Sequence, residues 1–193
     1  MGLLNLASMI IKDALFVLWF FLPAGLANMA PIFAARLPFL RRWSFPLDGY
    51  ATIRGKRVFG SHKTIRGVLS GVLIGILTVY LQVSVYAHVA LVRTFVLLDY
   101  TTIQPLLFGI LASGGALLGD ALRSFCKRQL GIAPGKSWFP FDQLDYVLGG
   151  IAVTAVYVRL TFRQHLLLGL IWFLLHPLAT LIGYLLKLKD NPL

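Results

Sequence analysis

Five long runs without a charged residue, at 14–35, 67–92, 100–119, 146–158 and 164–186, constrain this chain more than any motif in it. Crossing about 30 Å of hydrocarbon takes roughly 20 apolar residues in a helix, whose backbone groups must be satisfied internally. Four of the runs meet that length. The fourth is completed by extension to 144–162, with Arg159 snorkelling to the interface. The expectation is an all-α integral membrane protein, one membrane-embedded domain over 1–193. Its transmembrane helices are expected at about 14–35, 67–92, 100–119, 144–162 and 164–186, with long loops at 36–66 and 120–143. A hydrophobic content of 58% and a mean hydropathy of +0.80 exceed what a soluble domain carries. The first run has no small-residue cleavage site suitably placed and is expected to be a retained helix.

Orientation follows from Lys and Arg. Loop 36–66 holds eight of them, the segment 120–145 holds four, and the tail adds Lys187 and Lys189, whereas the other side has only Lys12, Arg93, Arg159 and Arg163. Basic residues near span ends stay in the cytoplasm, so the N-terminus is expected outside, with both long loops and the C-terminus cytoplasmic. The net charge of +11 therefore serves topology and phosphate, and not nucleic acid, for which no interleaved aromatic and basic residues appear outside the spans. The single cysteine, Cys126, excludes an internal disulfide and is read as a helix filler. The four histidines are scattered without metal-ligand spacing.

The chain has seven acids, all aspartate, and three of them fall in "GDALRSFCKRQLGIAPGKSWFPFDQLD": Asp120, Asp142 and Asp145. If the third helix continues past Gly119, then Asp120, Ser124, Lys127 and Arg128 lie at i, i+4, i+7 and i+8 on one face. Asp142 followed by Asp145 also fits a helix N-cap with an acid in the first turn. An acid directly after an apolar span, however, is costly near hydrocarbon and marks a functional site. Three carboxylates at one interface, without Cys or His, suit a hard cation such as Mg2+, which binds through carboxylates, water and substrate phosphates. The surrounding Lys127, Arg128 and Lys136 suit the phosphates of a nucleotide.

The first loop, "RLPFLRRWSFPLDGYATIRGKRVFGSHKTIRG", is rich in Gly and Pro and is expected to be turn-rich. Gly55 to Gly60 followed by Lys63-Thr64 resembles a P-loop only superficially, since the Gly-Lys-Ser/Thr run is absent. Lys63, Thr64 and Arg66 remain candidates for phosphate. In "LPAGLANMAPIF", Pro23, Asn28 and Pro31 are expected to interrupt the first span, with Asn28 available to a substrate or a neighbouring helix.

These segments, with the terminal "LLKLKDNPL", resemble the CDP-archaeol synthase family of integral membrane cytidylyltransferases over nearly the whole chain. The family's elements fall on Gly60 to Gly67, where Ser61 and His62 depart from it. They continue on Gly119-Asp120, on Ser124 to Arg128, on Asp142 to Asp145 and on Lys189 to Pro192, after which Leu193 stands in place of an aromatic residue. The resemblance implies a five-helix enzyme that moves CMP from CTP to an unsaturated archaeal ether-lipid phosphate, releasing pyrophosphate, with Mg2+. It is expected in the cell membrane with its site facing the cytoplasm. On this reading Asp120, Lys127, Asp142 and Asp145 are catalytic, and the three aspartates hold the metal. Asn28, Asp48, Lys63, Thr64, Arg66, Ser124, Arg128 and Lys136 contact the nucleotide. Two alternatives are another lipid-phosphate enzyme, such as a CDP-alcohol phosphotransferase or a lipid kinase, and a small transporter. The first needs a longer ladder of aspartates; the second needs ionisable residues at mid-membrane depth.

Overall fold

The computed structural model describes residues 2–133 and 136–185. The helices are α1 (Leu3–Arg36), α2 (Pro38–Arg41), α3 (Ile65–His88), α4 (Ala90–Arg93), α5 (Pro105–Gln129), α6 (Phe141–Thr154) and α7 (Phe162–Leu185), and a hairpin of β1 (Thr52–Ile53) and β2 (Lys56–Arg57) lies in the first loop. Four helices, α1, α3, α5 and α7, are long and apolar enough to cross a membrane. Ridges such as Leu69, Leu73, Leu77 and Leu81 on α3 are each more than half exposed, as expected of a lipid-facing surface.

Residue pairings fix the directions of the helices. Gln82 donates from Nε2 to the Trp19 carbonyl at 2.5 Å, and Gly67 abuts Pro31, so α3 runs antiparallel to α1. Gly71 packs on Leu117 and Gly75 on Ser113, so α5 runs antiparallel to α3. Gly115 packs on Val153 and Gly119 on Asp145, so α6 reverses again. Gln164 Nε2 lies 3.0 Å from Asp13 Oδ1 while Gly25 meets Trp172, so α7 runs parallel to α1. The loops 37–64 and 130–140 therefore emerge at one end of the bundle, here termed the loop end.

Two expectations need correction. Pro23 and Pro31 do not interrupt the first span, because α1 continues through both. Both lie within the packed region, Pro23 fully buried and Pro31 against Gly67, where neighbouring helices restrain the chain at the missing N–H groups. The fourth predicted span, 144–162, is also not one helix. At 14 residues, α6 reaches only about 21 Å. The predicted span also contains the start of the next helix: Thr161 and Gln164 exchange hydrogen bonds, the Thr161 N–H donating to Gln164 Oε1 at 2.9 Å and the Gln164 N–H to Thr161 Oγ1 at 3.3 Å. This capping box starts α7 and requires non-helical backbone before it. The chain completes its return to the opposite end through 155–161.

Candidate active site

The expected loop 120–143 is shorter than its bounds, because α5 continues beyond Gly119 to Gln129 and α6 begins at Phe141; the last ten residues of α5 form the floor of a charged cluster at the loop end. What brings α5 and α6 together is small residues. A Cβ on Gly119 would fall on the backbone carbonyl of Asp145, and one on Gly149 would fall on the Gly115 carbonyl and on Gly119. Gly115 and Gly119, four apart in "GALLG", thus let the two backbones touch, as in small-xxx-small helix pairs. The seam places Asp120 of α5 beside Asp145 of α6.

Each acid is engaged. Asp120 pairs with Lys63, and its Oδ1 lies 2.6 Å from Arg123 Nη2. Asp142 pairs with Arg123 Nη1, lies 3.1 Å from Lys127 Nζ and accepts the Trp138 N–H at 2.7 Å. Asp145, only 5% exposed, meets Arg123 Nε at 2.6 Å and accepts the Tyr146 N–H. Lys127 is buried and also donates to the Lys136 carbonyl. Three carboxylates and three cations (Lys63, Arg123, Lys127) thus form one neutral network. Sequence reading missed its hub, Arg123. The available signal was its i+3 spacing from Asp120, which applies once the third helix continues past Gly119.

Asp142 is not the N-cap. Pro140 holds that position, and Asp142 sits in the first turn with its carboxylate turned back to Trp138 and across to α5. Among the described residues, no group of three His, Cys, Asp or Glu is drawn together so as to hold a metal ion. The donor chemistry of Asp120, Asp142 and Asp145 nevertheless suits a hard cation, being oxygen only and carried on two helices.

The remaining predicted residues lie around this network. Thr64 caps α3, its hydroxyl accepting the Gly67 N–H at 3.1 Å. Arg66, buried, donates from Nη1 to the carbonyls of Leu40 at 3.0 Å and Arg41 at 3.3 Å, holding α2. Ser124 returns its hydroxyl to the Asp120 carbonyl at 2.9 Å. Arg128 lies against Gly60 of the first loop. Lys136 contributes its backbone carbonyl, while its side chain is exposed. Asn28 is half-buried on α1. The terminal "KLKDNPL" lies outside the described residues.

Asp48 organises the first loop. Its carboxylate has no solvent exposure and accepts the N–H groups of Phe59 and Gly60, each at 3.0 Å, and of Tyr50 at 3.2 Å, together with two nitrogens of Arg57. Burial pushes this carboxyl up, but the Arg57 guanidinium and the N–H groups of Phe59, Gly60 and Tyr50 outweigh it and hold the group at about 2. The β1–β2 turn uses Arg54 and Gly55 at positive φ (52° and 74°), as a two-residue hairpin requires. Lys56 then donates to the Gln129 carbonyl at 2.6 Å, fastening the hairpin to the end of α5.

The CarS-like CDP-archaeol synthase family model matches residues 8–193. The CDP-archaeol synthase of Methanospirillum hungatei is 37% identical over 179 residues, 89% of this chain and 99% of that protein. The one from Methanocaldococcus jannaschii is 33% identical over 90% of this chain and 93% of its own length, and that from Pyrobaculum arsenaticum 31% identical over 88% and 93%. A solved intramembrane enzyme for archaeal membrane lipid biosynthesis superposes with a TM-score of 0.68 at 29% identity, covering 84% of this chain and 90% of that one. With residues 8–193 matched by the family model and relatives of 31–37% identity covering nearly its full length, the chain belongs to the CDP-archaeol synthase family of membrane cytidylyltransferases.

Proposed function

We propose that this protein transfers CMP from CTP to an unsaturated archaeal ether-lipid phosphate, releasing pyrophosphate, with Mg2+ as cofactor, at the cytoplasmic face of the cell membrane. The observation that carries the reading is the six-residue network of Lys63, Asp120, Arg123, Lys127, Asp142 and Asp145 at the loop end.

The nucleophile is a lipid phosphate monoester, mostly ionised at neutral pH, so no strong general base is needed. Its oxygen attacks the α-phosphorus of CTP, the new P–O bond forms, the bond to the β-phosphate breaks and pyrophosphate leaves. The obstacle is repulsion between two anions. Lys63, Lys127 and Arg123 neutralise it and orient the phosphates for in-line attack. Asp120, Asp142 and Asp145 would hold Mg2+, which supplies further charge neutralisation at the phosphates. Burial of the network strengthens each of these interactions relative to water. Orientation with the loop end in the cytoplasm accords with the 14 to 4 split of basic residues described above.

The test uses detergent-purified protein, Mg2+ and CTP labelled in its α-phosphate, with digeranylgeranylglycerol phosphate or phosphatidic acid as acceptor. Label is expected in the lipid phase, more with the ether lipid, and lost with EDTA. Asp145→Asn, Asp120→Asn and Asp142→Asn are each expected to lower the rate by about two orders of magnitude or more while the protein stays folded. A variant within about threefold of wild type excludes that acid from the chemistry. No transfer to either lipid by folded, metal-supplied protein would sink the reading.

A further inference from the structure

Three nitrogens of one side chain each face a different acid of the site: Arg123 Nε lies 2.6 Å from Asp145, Nη2 lies 2.6 Å from Asp120, and Nη1 pairs with Asp142. The guanidinium, 18% exposed, stands between the three carboxylates and pairs with each of them. We propose that Arg123 is a resident counter-ion for these acids, so that a divalent metal enters the site only together with the triphosphate that draws Arg123 away. This rests on the reading of the site as one for CTP and Mg2+, and concerns the order in which they are accepted.

The charge balance supports it. Three carboxylates already face Lys63, Arg123 and Lys127, so a bare divalent cation would leave a mostly buried cluster with two uncompensated charges, a costly state. A metal bound to a triphosphate arrives with net negative charge and gives the displaced cations a partner. Arg123 cannot vacate by losing its proton, because a guanidinium stays charged at any working pH. It has to move, and its planar fork matches a phosphate as well as it matches a carboxylate. Lys63, 22% exposed and paired with Asp120, is the second cation free to follow.

The experiment is equilibrium dialysis of detergent-purified full-length protein against Mn2+, with and without CTP and without lipid, comparing wild type with Arg123→Gln and Arg123→Lys. CTP is expected to raise wild-type Mn2+ affinity about tenfold or more, the coupling passing through Arg123. Without CTP, Arg123→Gln is expected to bind Mn2+ about tenfold more tightly than wild type, and CTP to add less than about threefold to it. A gain of metal affinity is not something a merely structural residue gives when removed. Arg123→Lys, with one ammonium where three nitrogens faced the acids, should fall between the two, and it supplies the comparison if the Gln variant does not fold. Wild-type protein that binds Mn2+ equally with and without CTP overturns this inference and leaves the proposed reaction standing. Mn2+ retained by none of the proteins, even with CTP, overturns both this inference and the metal part of the proposed function.

Discussion

A carboxylate with no solvent exposure must have its lone pairs engaged, and Asp48 engages them entirely with its own loop. Its place in the family-like segment suggested nucleotide contact, whereas the structure makes it the organiser of the 48–60 backbone that lies against Arg128 and the end of α5. Its carboxyl is held at about 2, below its unfolded range near 4. The stabilisation is therefore fully present above about pH 4 and is lost as pH falls through about 2. Pepsin, active across this window, should leave the loop intact near pH 4 and nick it between Tyr50 and Phe59 as pH approaches 2. Asp48→Asn should be nicked already at pH 4; equal resistance in both proteins would remove the assigned role. The same distinction separates Lys63, which reaches the acids, from Thr64 and Arg66, whose polar groups serve a helix cap and two carbonyls. Residue type and position suggested phosphate for all three, but only partner geometry divides them.

At the scale of elements, the α5–α6 seam matters most. Because the atom that a Cβ on Gly119 would meet is backbone of Asp145, no side-chain rotation relieves the clash, and the helices must separate. Gly119→Ala is expected to cost about 1–3 kcal/mol and to lower the rate further by parting Asp120 from Asp145. Gly114→Ala, which meets nothing within 4 Å, is the matched control and should be neutral or slightly stabilising. Thermal unfolding in detergent and the labelled-CTP assay on both variants decide the matter; equal behaviour would show that the seam is slack. The length of α6 was misread for a comparable reason. Hydropathy continues smoothly from 146 to 158, while a new helix start is signalled by the Thr161–Gln164 box in "TFRQ", which the run overrode.

The whole molecule places its charges at opposite ends for different purposes. Asp13, buried at 1% exposure, is held by Arg163 and Gln164 and ties the start of α7 to α1, far along both helices from the loop end. Asp13→Asn keeps a partner for Gln164 but loses the ion pair. Since Arg163 is 44% exposed and can turn to water, the cost should be about 1–2 kcal/mol and not the 3–5 of a fully buried pair. The midpoint of unfolding should fall while KM for CTP stays within about twofold; a large change in KM would mean that the two ends are coupled. Sidedness is tested by single cysteines on a Cys126→Ser background. An impermeant maleimide should label Thr101→Cys on intact cells, and Ser44→Cys only after permeabilisation. The reverse pattern would place the site outside.

The sequence by itself determined the membrane class, four long helices and the gathering of Asp120, Asp142 and Asp145 at one end; that α5 runs on through 120–129 it offered only as a condition. These follow from local sums, the transfer free energy of a run and the periodicity of a single helix, which need no knowledge of neighbours. The tertiary structure alone decided that Arg123 is the hub, that Ser124, Thr64, Arg66 and Asp48 bond to backbone or to their own loop, and that α1 runs unbroken through its prolines. The first depends on how closely α5 and α6 approach, set by Gly115, Gly119 and Gly149, and the others on which partner each side chain or helix meets. An ion pair is decided within an ångström or two, a distance that no spacing along a single chain specifies.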